Sequence, residues 1–351
     1  MKTITIGERL VGDEQPCFFI AEAGVNHNGS VELAHKLVDI AADCGADAVK
    51  FQKRTIDAIL TQQALRQPYL SPTSLGATYG EHRHKLELSN AEYRELWQHA
   101  CERGIVLLAS AWDPHSADFL DQLGVPAFKT ASADLTNLPL LAHIARKGKP
   151  MLVSTGMADL ADVEQAVEIV RRFNDRLVLL QCTSLYPCDN DKLNLRVMRS
   201  YREQFDLLVG YSGHERGLAP SEAAAALGAA VIERHFTVDR TMIGPDHAAS
   251  LEPEGLRRLI RNIRNIERAL GDGMKSCLPE ERLVRARLAK SVVAVCDIPA
   301  GDTITEDMLT VKGPGDGIAP GDLARLCGLV AETAVPADTL VPIEALQWRS
   351  A

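Results

Sequence analysis

Several features that would narrow the class of protein at once are missing from this sequence. None of the eight cysteines belongs to a C-x-x-C pair, which argues against a zinc knuckle or a redox motif. No apolar run reaches the length of a transmembrane helix, and the first residues, MKTITIGERL, lack the apolar core of a signal peptide. We therefore expect a cytoplasmic protein with reduced thiols and no membrane partner.

An excess of positive charge is missing as well. The 38 Lys and Arg residues are outnumbered by 47 Asp and Glu residues, which gives a formal net charge of -9. We expect no nucleic-acid partner, because there is no general basic surface to neutralise phosphates. This charge balance does not exclude a local basic pocket for a small anionic substrate.

The sequence does contain enough apolar material for a large core. Hydrophobic residues make up 46% of the 351 residues, and no low-complexity tract interrupts them. A chain of this length predicts one large domain and a second, small one.

Short apolar runs alternate with amphipathic stretches over residues 1–272. This alternation is typical of a parallel sheet covered by helices, and eight units fit a (β/α)8 TIM barrel. The alternative is an open doubly wound sheet, but no G-x-G-x-x-G follows the first run. The predicted strands are CFFIAEAG, ADAVKFQ, IVLLASA, VPAFKTAS, PMLVSTG, LVLLQCTS, LLVGYSG and AAVIERHF. Examples of the predicted helices are residues 31–44, 91–103, 160–172, 221–227 and 254–269.

The composition changes after this region. Residues 273–290 form a polar connector with helical character, and residues 291–351 contain short β runs, Pro-Gly turns and one short helix. We interpret residues 291–351 as a separate, β-rich domain that is near the lower size limit for folding alone.

Polar pairs end two neighbouring apolar runs of the barrel. Ser212 and His214 follow LLV, and Glu233 and His235 follow AAVI. Residues i and i+2 of a strand point to the same face, so each pair points one way. Active sites of TIM barrels lie at the C-terminal ends of the strands, which places both pairs in a predicted active site.

The other predicted strand ends carry polar side chains too. A lone member of this set would be interpreted as a cap or a turn, but their recurrence at all the strand ends favours a binding site. Lys50 and Lys129 would each cost several kcal/mol, roughly, if buried unpaired, and an anionic ligand would remove that cost. The full set also includes Glu22, Asn26, His27, Gln52, Ser110, Ser132, Ser154, Thr155, Gln181, Thr183 and Ser184.

The residue types at these strand ends indicate which ligands the predicted site would bind. A phosphate or carboxylate would be bound well by lysines, which supply charge, and by hydroxyls, which supply directed donors. The set offers both, in the two lysines and in Ser132, Ser154, Ser184 and Ser212. His214 and His235 suit a divalent metal that also takes water or substrate oxygens, and two hydrogen-bonded core histidines are the alternative. The carboxylates Glu22, Glu233 and Asp246 can bind sugar hydroxyls or transfer protons.

Long motifs of the chain resemble the sialic acid synthase family, in order and over nearly the whole length. ARLAKSVVA followed by IPAGDTITEDMLTVK resembles the antifreeze-like (SAF, β-clip) domain of that family. The resemblance implies a TIM barrel followed by this domain, and a homodimer that exchanges it. The barrel motifs are IAEAGVNHNG, AVKFQ, LASAWD, FKTASADLTN, STGM, LQCTSLYP, NLRVM, GYSGHE, ALGAAVIERHFT and GPDHAASLEP.

The resemblance also implies a reaction. Phosphoenolpyruvate would condense with the open-chain aldehyde of N-acetylmannosamine, or of its 6-phosphate, to give a nine-carbon 2-keto acid and phosphate. A divalent cofactor, Mn²⁺ or Mg²⁺, is implied at His214 and His235. The chemistry is assigned to Glu22, Lys50, Glu233 and His235.

Substrate contacts follow from the same resemblance. Phosphoenolpyruvate is assigned to Lys50, Lys129, Ser132, Ser154, Ser184 and Ser212. The N-acylated amino sugar is assigned to Glu22, Gln52, Tyr186, Glu233 and Asp246.

The long segment 53–89 is interpreted as a loop over the barrel mouth. Its EHRH stretch is predicted to be a solvated loop rather than a second metal site, and Glu81 and Arg83 are candidates to cover the sugar.

One position departs from the family pattern. Many bacterial members carry Arg-Pro-Gly in the antifreeze-like domain, with an arginine that reaches the N-acyl group of the sugar, whereas this chain has Gly313. Two alternatives therefore stay open. One is a synthase for legionaminate, pseudaminate or deaminated neuraminate, and the other is a non-catalytic protein that binds a sugar precursor.

Overall fold

The predicted apolar runs form a closed barrel of parallel strands. The computed structural model describes residues 2–346. Strand β10 pairs with both β9 and β3, which closes the sheet and excludes the open alternative. The first ten strands are β1 (Thr3–Ile6), β2 (Arg9–Gly12), β3 (Phe18–Gly24), β4 (Ala48–Lys53), β5 (Val106–Ala111), β6 (Phe128–Thr130), β7 (Met151–Ser154), β8 (Leu177–Cys182), β9 (Leu208–Gly213) and β10 (Val231–His235).

Helices follow the barrel strands and cover them. Several begin at side-chain caps: Ser89 and Glu92 form a capping box at the start of α5. The helices are α1 (Val31–Asp43), α2 (Ile56–Ile59), α3 (Gln62–Leu65), α4 (Tyr79–Lys85), α5 (Asn90–Glu102), α6 (Pro114–Leu123), α7 (Leu138–Ala145), α8 (Leu160–Arg171), α9 (Val197–Phe205), α10 (Ala219–Ala226) and α11 (Pro253–Leu270). Apart from the short helices α2, α3 and α4, their apolar faces pack on the outside of the barrel in one continuous hydrophobic cluster.

A hairpin that the sequence analysis did not predict precedes the barrel. Strands β1 and β2 pair in antiparallel register. Ile4, Ile6 and Val11 of this hairpin share a hydrophobic cluster with Phe18 and Val231, which are the first residues of β3 and β10. The hairpin therefore packs at the N-terminal end of the barrel, opposite the end where the active site is predicted.

The chain divides into two compact units, Met1–Gly271 and Asp272–Ala351. The predicted connector 273–290 falls in the second unit and contains helix α12 (Pro279–Leu288). The antiparallel strands β11 (Ser291–Ala294) and β12 (Leu309–Lys312) and the short helix α13 (Leu323–Leu326) follow. Val292, Ile298 and Ile304 belong to the hydrophobic core of this unit. The part of the prediction for 291–351 that covers residues 347–351 lies outside the described residues.

Within residues 2–346, no helix is long and apolar enough to cross a bilayer. All eight cysteines are free thiols.

Candidate active site

The register of the barrel brings the predicted polar side chains together. Glu22 lies opposite Lys50 on one side and His235 on the other. Ser212 pairs with Glu233 in the next ladder, and the Ser212 hydroxyl donates to Glu233 Oε1 at 3.1 Å. These polar residues at the ends of the apolar runs therefore face one space.

That space is a cavity of about 250 Å³, named here the first cavity. It is lined by all the residues assigned to the chemistry, the substrates or the metal except Asp246. Five other polar residues predicted at the strand ends do not line it: Asn26, His27, Thr155, Gln181 and Thr183. Its lining consists of Glu22, Lys50, Gln52, Ser110, Trp112, Lys129, Ala131, Ser132, Ala133, Ser154, Met157, Cys182, Ser184, Tyr186, Ser212, His214, Glu233 and His235.

Both lysines of the first cavity already have carboxylate partners. Lys50 Nζ lies 2.6 Å from Glu22 Oε2, and Lys129 Nζ lies 3.6 Å from Glu233 Oε1. Each lysine also donates to a hydroxyl, Lys50 to Ser110 at 2.9 Å and Lys129 to Ser154 at 2.7 Å. The cost expected for unpaired buried lysines is therefore avoided even without an anionic ligand, because Glu22 and Glu233 balance them.

Burial sets unusual protonation states in this cluster. It raises the pKa of Glu22 to about 7, although Lys50 opposes the shift. Burial also tends to raise the pKa of Glu233, but Lys129 and Lys50 outweigh it and the pKa is lowered. The pKa of Lys129 is lowered by burial, with Glu233 acting against the shift. Two buried carboxylates thus differ in pKa, an arrangement that can separate a proton carrier from a permanent anion.

A cradle of hydroxyls lies on the other side of the first cavity. The backbone N–H of Gly156 donates to Ser132 Oγ at 3.0 Å. A Cβ at Gly156 would collide with the hydroxyls of Ser184 and Ser132. The glycine therefore lets two serine hydroxyls approach the backbone closely, near Lys129, which suits an anion.

The two histidines are arranged as potential metal ligands. Their ring centroids are 5.5 Å apart, and the Tyr186 ring lies 3.9 Å from that of His214. His214 Nδ1 is 2.9 Å from the carbonyl oxygen of Thr183, so Nδ1–H donates and Nε2 keeps its lone pair. Burial lowers the pKa of His235 well below its ordinary value, and its buried Nδ1 has no hydrogen-bond partner among residues 2–346.

These observations fit a divalent ion at His214 and His235. A neutral imidazole with an unpartnered nitrogen, such as His235, can bind a metal, and the carbonyl oxygen of Thr183 fixes the tautomer of His214. The described part of the chain contains no group of three or more His, Cys, Asp or Glu residues that could hold a metal. The remaining ligands would therefore have to be water or substrate oxygens, as the sequence analysis anticipated.

A second cavity of about 260 Å³ adjoins the first. Gln52, Trp112, Tyr186 and His235 line both. Asp246 lies here, half-buried, and burial raises the pKa of its carboxyl group. The other lining residues are Val25, Arg54, Tyr69, Tyr79, His82, Arg83 and Pro245.

The structure corrects the interpretation of segment 53–89. Instead of a loop, it contains α2, α3 and α4, and EHRH lies on α4. His82 is buried and its Nδ1 accepts from the backbone N–H of Leu75, so the prediction of a solvated stretch was wrong for this residue. Arg83 does line the second cavity, whereas Glu81 is exposed and accepts from the backbone of Ala77.

The cavity residues that were missed as site candidates include Trp112, Arg54 and Cys182. Trp112 and Arg54 follow the ends of β5 and β4 directly, which is a positional signal that could have identified them. Cys182 ends β8, and its Sγ lies 4.0 Å from His214 Nδ1. Burial would lower the pKa of His214, but the contact with Cys182 outweighs it and the pKa is raised.

Comparison with known proteins agrees with this architecture. The NeuB family matches residues 37–275, and the SAF domain matches residues 289–347. The N-acetylneuraminate-9-phosphate synthase of Mus musculus is 46% identical over 97% of this chain and 96% of its own length. The N,N'-diacetyllegionaminic acid synthase of Campylobacter jejuni is 42% identical over 92% of this chain and 98% of its own.

A solved structure of a related protein resembles this chain as well. The N-acetylneuraminic acid (sialic acid) synthetase of Leptospira borgpetersenii serovar Hardjo-bovis, in complex with citrate, aligns with a TM-score of 0.71 and 31% identity. The alignment covers 81% of this chain and 95% of that one. The resemblance found in the motifs is confirmed, and the chain belongs to the NeuB family.

Proposed function

We propose that the protein is a sialic acid synthase. It condenses phosphoenolpyruvate with N-acetylmannosamine, or its 6-phosphate, to give N-acetylneuraminate, or its 9-phosphate, and inorganic phosphate. The observation that carries this proposal is the first cavity, where two lysines, two carboxylates of different pKa and two histidines meet a hydroxyl cradle. The name of the mouse relative supports the same product class.

The lysine side of the first cavity is assigned to phosphoenolpyruvate. Lys129, next to Ser154, and the cradle of Ser132 and Ser184 supply charge and directed donors for its phosphate and carboxylate. Lys50 and Ser212 extend this set toward the histidines. Glu22 and Glu233 hold the lysines in place before the substrate arrives. The lysines therefore contribute to the reaction mainly by positioning phosphoenolpyruvate.

The reaction then proceeds at the boundary of the two cavities. C3 of the enol forms a bond to the aldehyde carbon, and the aldehyde oxygen takes up a proton to become a hydroxyl. Water adds to the cation that develops at C2 and gives up a proton. The C2–O bond to phosphate then breaks as the remaining hydroxyl proton leaves and the ketone forms. A divalent ion, Mn²⁺ or Mg²⁺, held by His214 and His235 would supply a Lewis acid for the aldehyde oxygen. Glu22, in its ionised form, would stabilise the cation at C2 or orient the water that attacks it.

The sugar is assigned to the residues that join the cavities. Gln52 donates to Glu22 Oε1 at 3.3 Å and lines both cavities, as does Tyr186. Asp246 of the second cavity and Glu233 of the first provide acceptors for sugar hydroxyls. Lys50, Glu233, Glu22 and His235 thus surround the reacting atoms.

We also propose the assembly and location expected from the sequence. A homodimer that exchanges its SAF domains would close each site against excess water. Deletion of residues after Ser276 should then abolish activity and leave a folded barrel, measured by phosphate release and circular dichroism. Full activity of the truncated chain would contradict the exchange. A cytoplasmic location agrees with eight free thiols.

One experiment tests the function. The purified protein is incubated with Mn²⁺, phosphoenolpyruvate and each of a panel of sugars, and released phosphate and the 2-keto acid are measured. The panel contains N-acetylmannosamine, its 6-phosphate, mannose and the diacetylated precursor of legionaminate. We expect turnover with N-acetylmannosamine or its 6-phosphate. Turnover only with the diacetylated sugar would assign a legionaminate synthase, and no turnover with any sugar would favour a binding protein.

A further inference from the structure

A buried arginine of the second cavity lacks partners for most of its donors. Arg54 is 3% exposed, and its Nη1 and Nη2 are buried without a hydrogen-bond partner among residues 2–346. Buried guanidinium groups are normally paired on all sides, because an unmade charge-assisted hydrogen bond is costly. Nη1 and Nη2 of Arg54 therefore lack acceptors, and a bound ligand could supply them.

The rest of the Arg54 side chain is held firmly. Glu87 binds it with both carboxylate oxygens: Oε1 accepts from Arg54 Nε at 2.5 Å and Oε2 from its backbone N–H at 3.2 Å. The guanidinium carbon lies 5.7 Å from the ring centroid of Trp112, within the range of a cation–π contact. These contacts fix the plane of the guanidinium and leave Nη1 and Nη2 as the free edge of its fork.

The surroundings of this edge favour an anion. Arg83 lines the same cavity, and Asp246 is the one carboxylate among its described lining residues. His82 also lines it, and because its Nδ1 accepts from Leu75 N–H, the ring carries its proton on Nε2 as a further donor. The charge of Arg54 is already balanced by Glu87, so what this cavity has in surplus is donors. These donors are Nη1 and Nη2 of Arg54 and Nε2 of His82.

We propose that Arg54 and Arg83 form a subsite for a phosphate monoester, the 6-phosphate of the amino sugar. This inference rests on the proposed function, which places the aldehyde end of the sugar in the first cavity near His235. Because His235 and Tyr186 line both cavities, the far end of an extended sugar reaches the second. A phosphate fits the free edge of Arg54, since its oxygens accept from both Nη groups at once. A hydroxyl would offer the two Nη groups only one neutral acceptor oxygen.

The test compares two sugars that differ only in this phosphate. Binding of N-acetylmannosamine 6-phosphate and of N-acetylmannosamine is measured by calorimetry on the full chain with Mn²⁺ present, and kcat/KM for each is measured with phosphoenolpyruvate. We expect the wild-type protein to favour the phosphorylated sugar at least about tenfold. Arg83→Gln should remove most of this preference and leave the KM for phosphoenolpyruvate within about twofold. The matched control is Arg66→Gln, an exposed arginine of the same segment that lines neither cavity.

Arg54→Gln alone would leave the half-buried Glu87 without its cation. The double variant Arg54→Gln/Glu87→Gln is therefore measured beside Arg83→Gln. Thermal unfolding and the KM for phosphoenolpyruvate report whether either variant keeps the fold. Loss of the preference for the phosphorylated sugar in Arg83→Gln supports the subsite, whether or not the double variant loses this preference too. The subsite is overturned if the wild-type protein binds the two sugars with equal affinity, or if Arg83→Gln loses affinity for both equally. Turnover of N-acetylmannosamine would still support the synthase in either case. A phosphate preference in binding without any turnover would instead reject the synthase and retain the subsite.

Discussion

The two cavities at the active-site end of the barrel balance their charges in opposite ways. In the first, each lysine has a carboxylate partner from another strand, with Lys50 at 2.6 Å from Glu22 and Lys129 at 3.6 Å from Glu233. In the second, Arg54 has one carboxylate partner, Glu87, on one edge and no hydrogen-bond partner for either Nη group among the described residues. The cations of the first cavity thus have partners without a ligand, whereas the Nη groups of Arg54 in the second do not.

This difference indicates how each cavity would contribute to binding. An anion that enters the first cavity competes with carboxylates already present, so its net binding energy is modest and its gain is orientation. An anion that enters the second cavity supplies acceptors that are missing, so it contributes directly to affinity. The first cavity is therefore suited to chemistry and the second to selection of the sugar.

The strongest expected effect comes from the histidines of the first cavity. Removal of the divalent ion by a chelator should abolish turnover, and Mn²⁺ should restore it. His235→Ala should lower kcat at least about a hundredfold, since a Lewis acid contributes several kcal/mol to the transition state. Phosphate release measures the rate, and metal analysis of the purified protein measures occupancy.

His84→Ala is the matched control for this experiment. His84 belongs to the EHRH stretch but is exposed and lines neither cavity. We expect it to keep both metal and activity. Full activity of the metal-stripped protein, or metal loss in His84→Ala but not in His235→Ala, would show that the ion site has been assigned to the wrong histidines.

Lys129→Ala should distinguish the roles of the two cavities, because it should affect the use of phosphoenolpyruvate but not the choice of sugar. It removes a buried donor to Ser154 from the first cavity, so kcat/KM for phosphoenolpyruvate should fall at least about tenfold. The wild-type preference for a phosphorylated over an unphosphorylated sugar should not change, because that preference belongs to the second cavity. Lys149→Ala is a suitable control, since Lys149 pairs with Asp121 at 2.8 Å and lines neither cavity. An unchanged kcat/KM in Lys129→Ala would place this lysine outside the site.

The first cavity could be predicted from the sequence because strand geometry dictates it. Residues at i and i+2 of a buried parallel strand share a face, so Ser212 and His214 had to point with Glu233 and His235 once the barrel was recognised. Lys50 and Lys129 followed from the same argument. The sequence could not show which carboxylate pairs with which lysine, because that depends on side-chain conformations across the ladders.

The second cavity was largely missed for a physical reason. Arg54 is held by Glu87, which lies 33 positions further along a segment without a clear period. Such a contact depends on how short helices fold back, and neither hydrophobic periodicity nor turn residues specify it. The buried His82 was misread for the same reason. The hairpin β1–β2 escaped notice because its strands are only four residues each.

Glu22 provides a smaller and more specific test of the first cavity. Burial raises the pKa of this carboxyl to about 7, so it holds its proton below that pH and is ionised above it. If the ionised form assists the reaction, kcat/KM for phosphoenolpyruvate should rise with pH by up to about tenfold from pH 6 to pH 8. Glu22→Gln should be slower and should lack this rise. The ratio of the two profiles cancels the titration of the substrate itself, and a pH-independent ratio would contradict the role of Glu22.

The smallest expected effect concerns Gly313 in the second compact unit, where related bacterial proteins carry an arginine near the N-acyl group. A Cβ at Gly313 would lie 3.5 Å from Ala289 O and from Lys290 Nζ, which is ordinary contact, so an arginine can be accommodated. Since glycine offers no side chain, discrimination between N-acetylmannosamine and mannose should rest on barrel residues such as Tyr186, or on Lys312 and the backbone near it. Gly313→Arg should change the ratio of kcat/KM for these two sugars by a few fold, the range of one exposed polar contact, and change phosphoenolpyruvate use less. An unchanged ratio would mean that this loop does not reach the sugar. The exchanged-domain dimer would then lose its main support, and selection of the sugar would fall to the two barrel cavities alone.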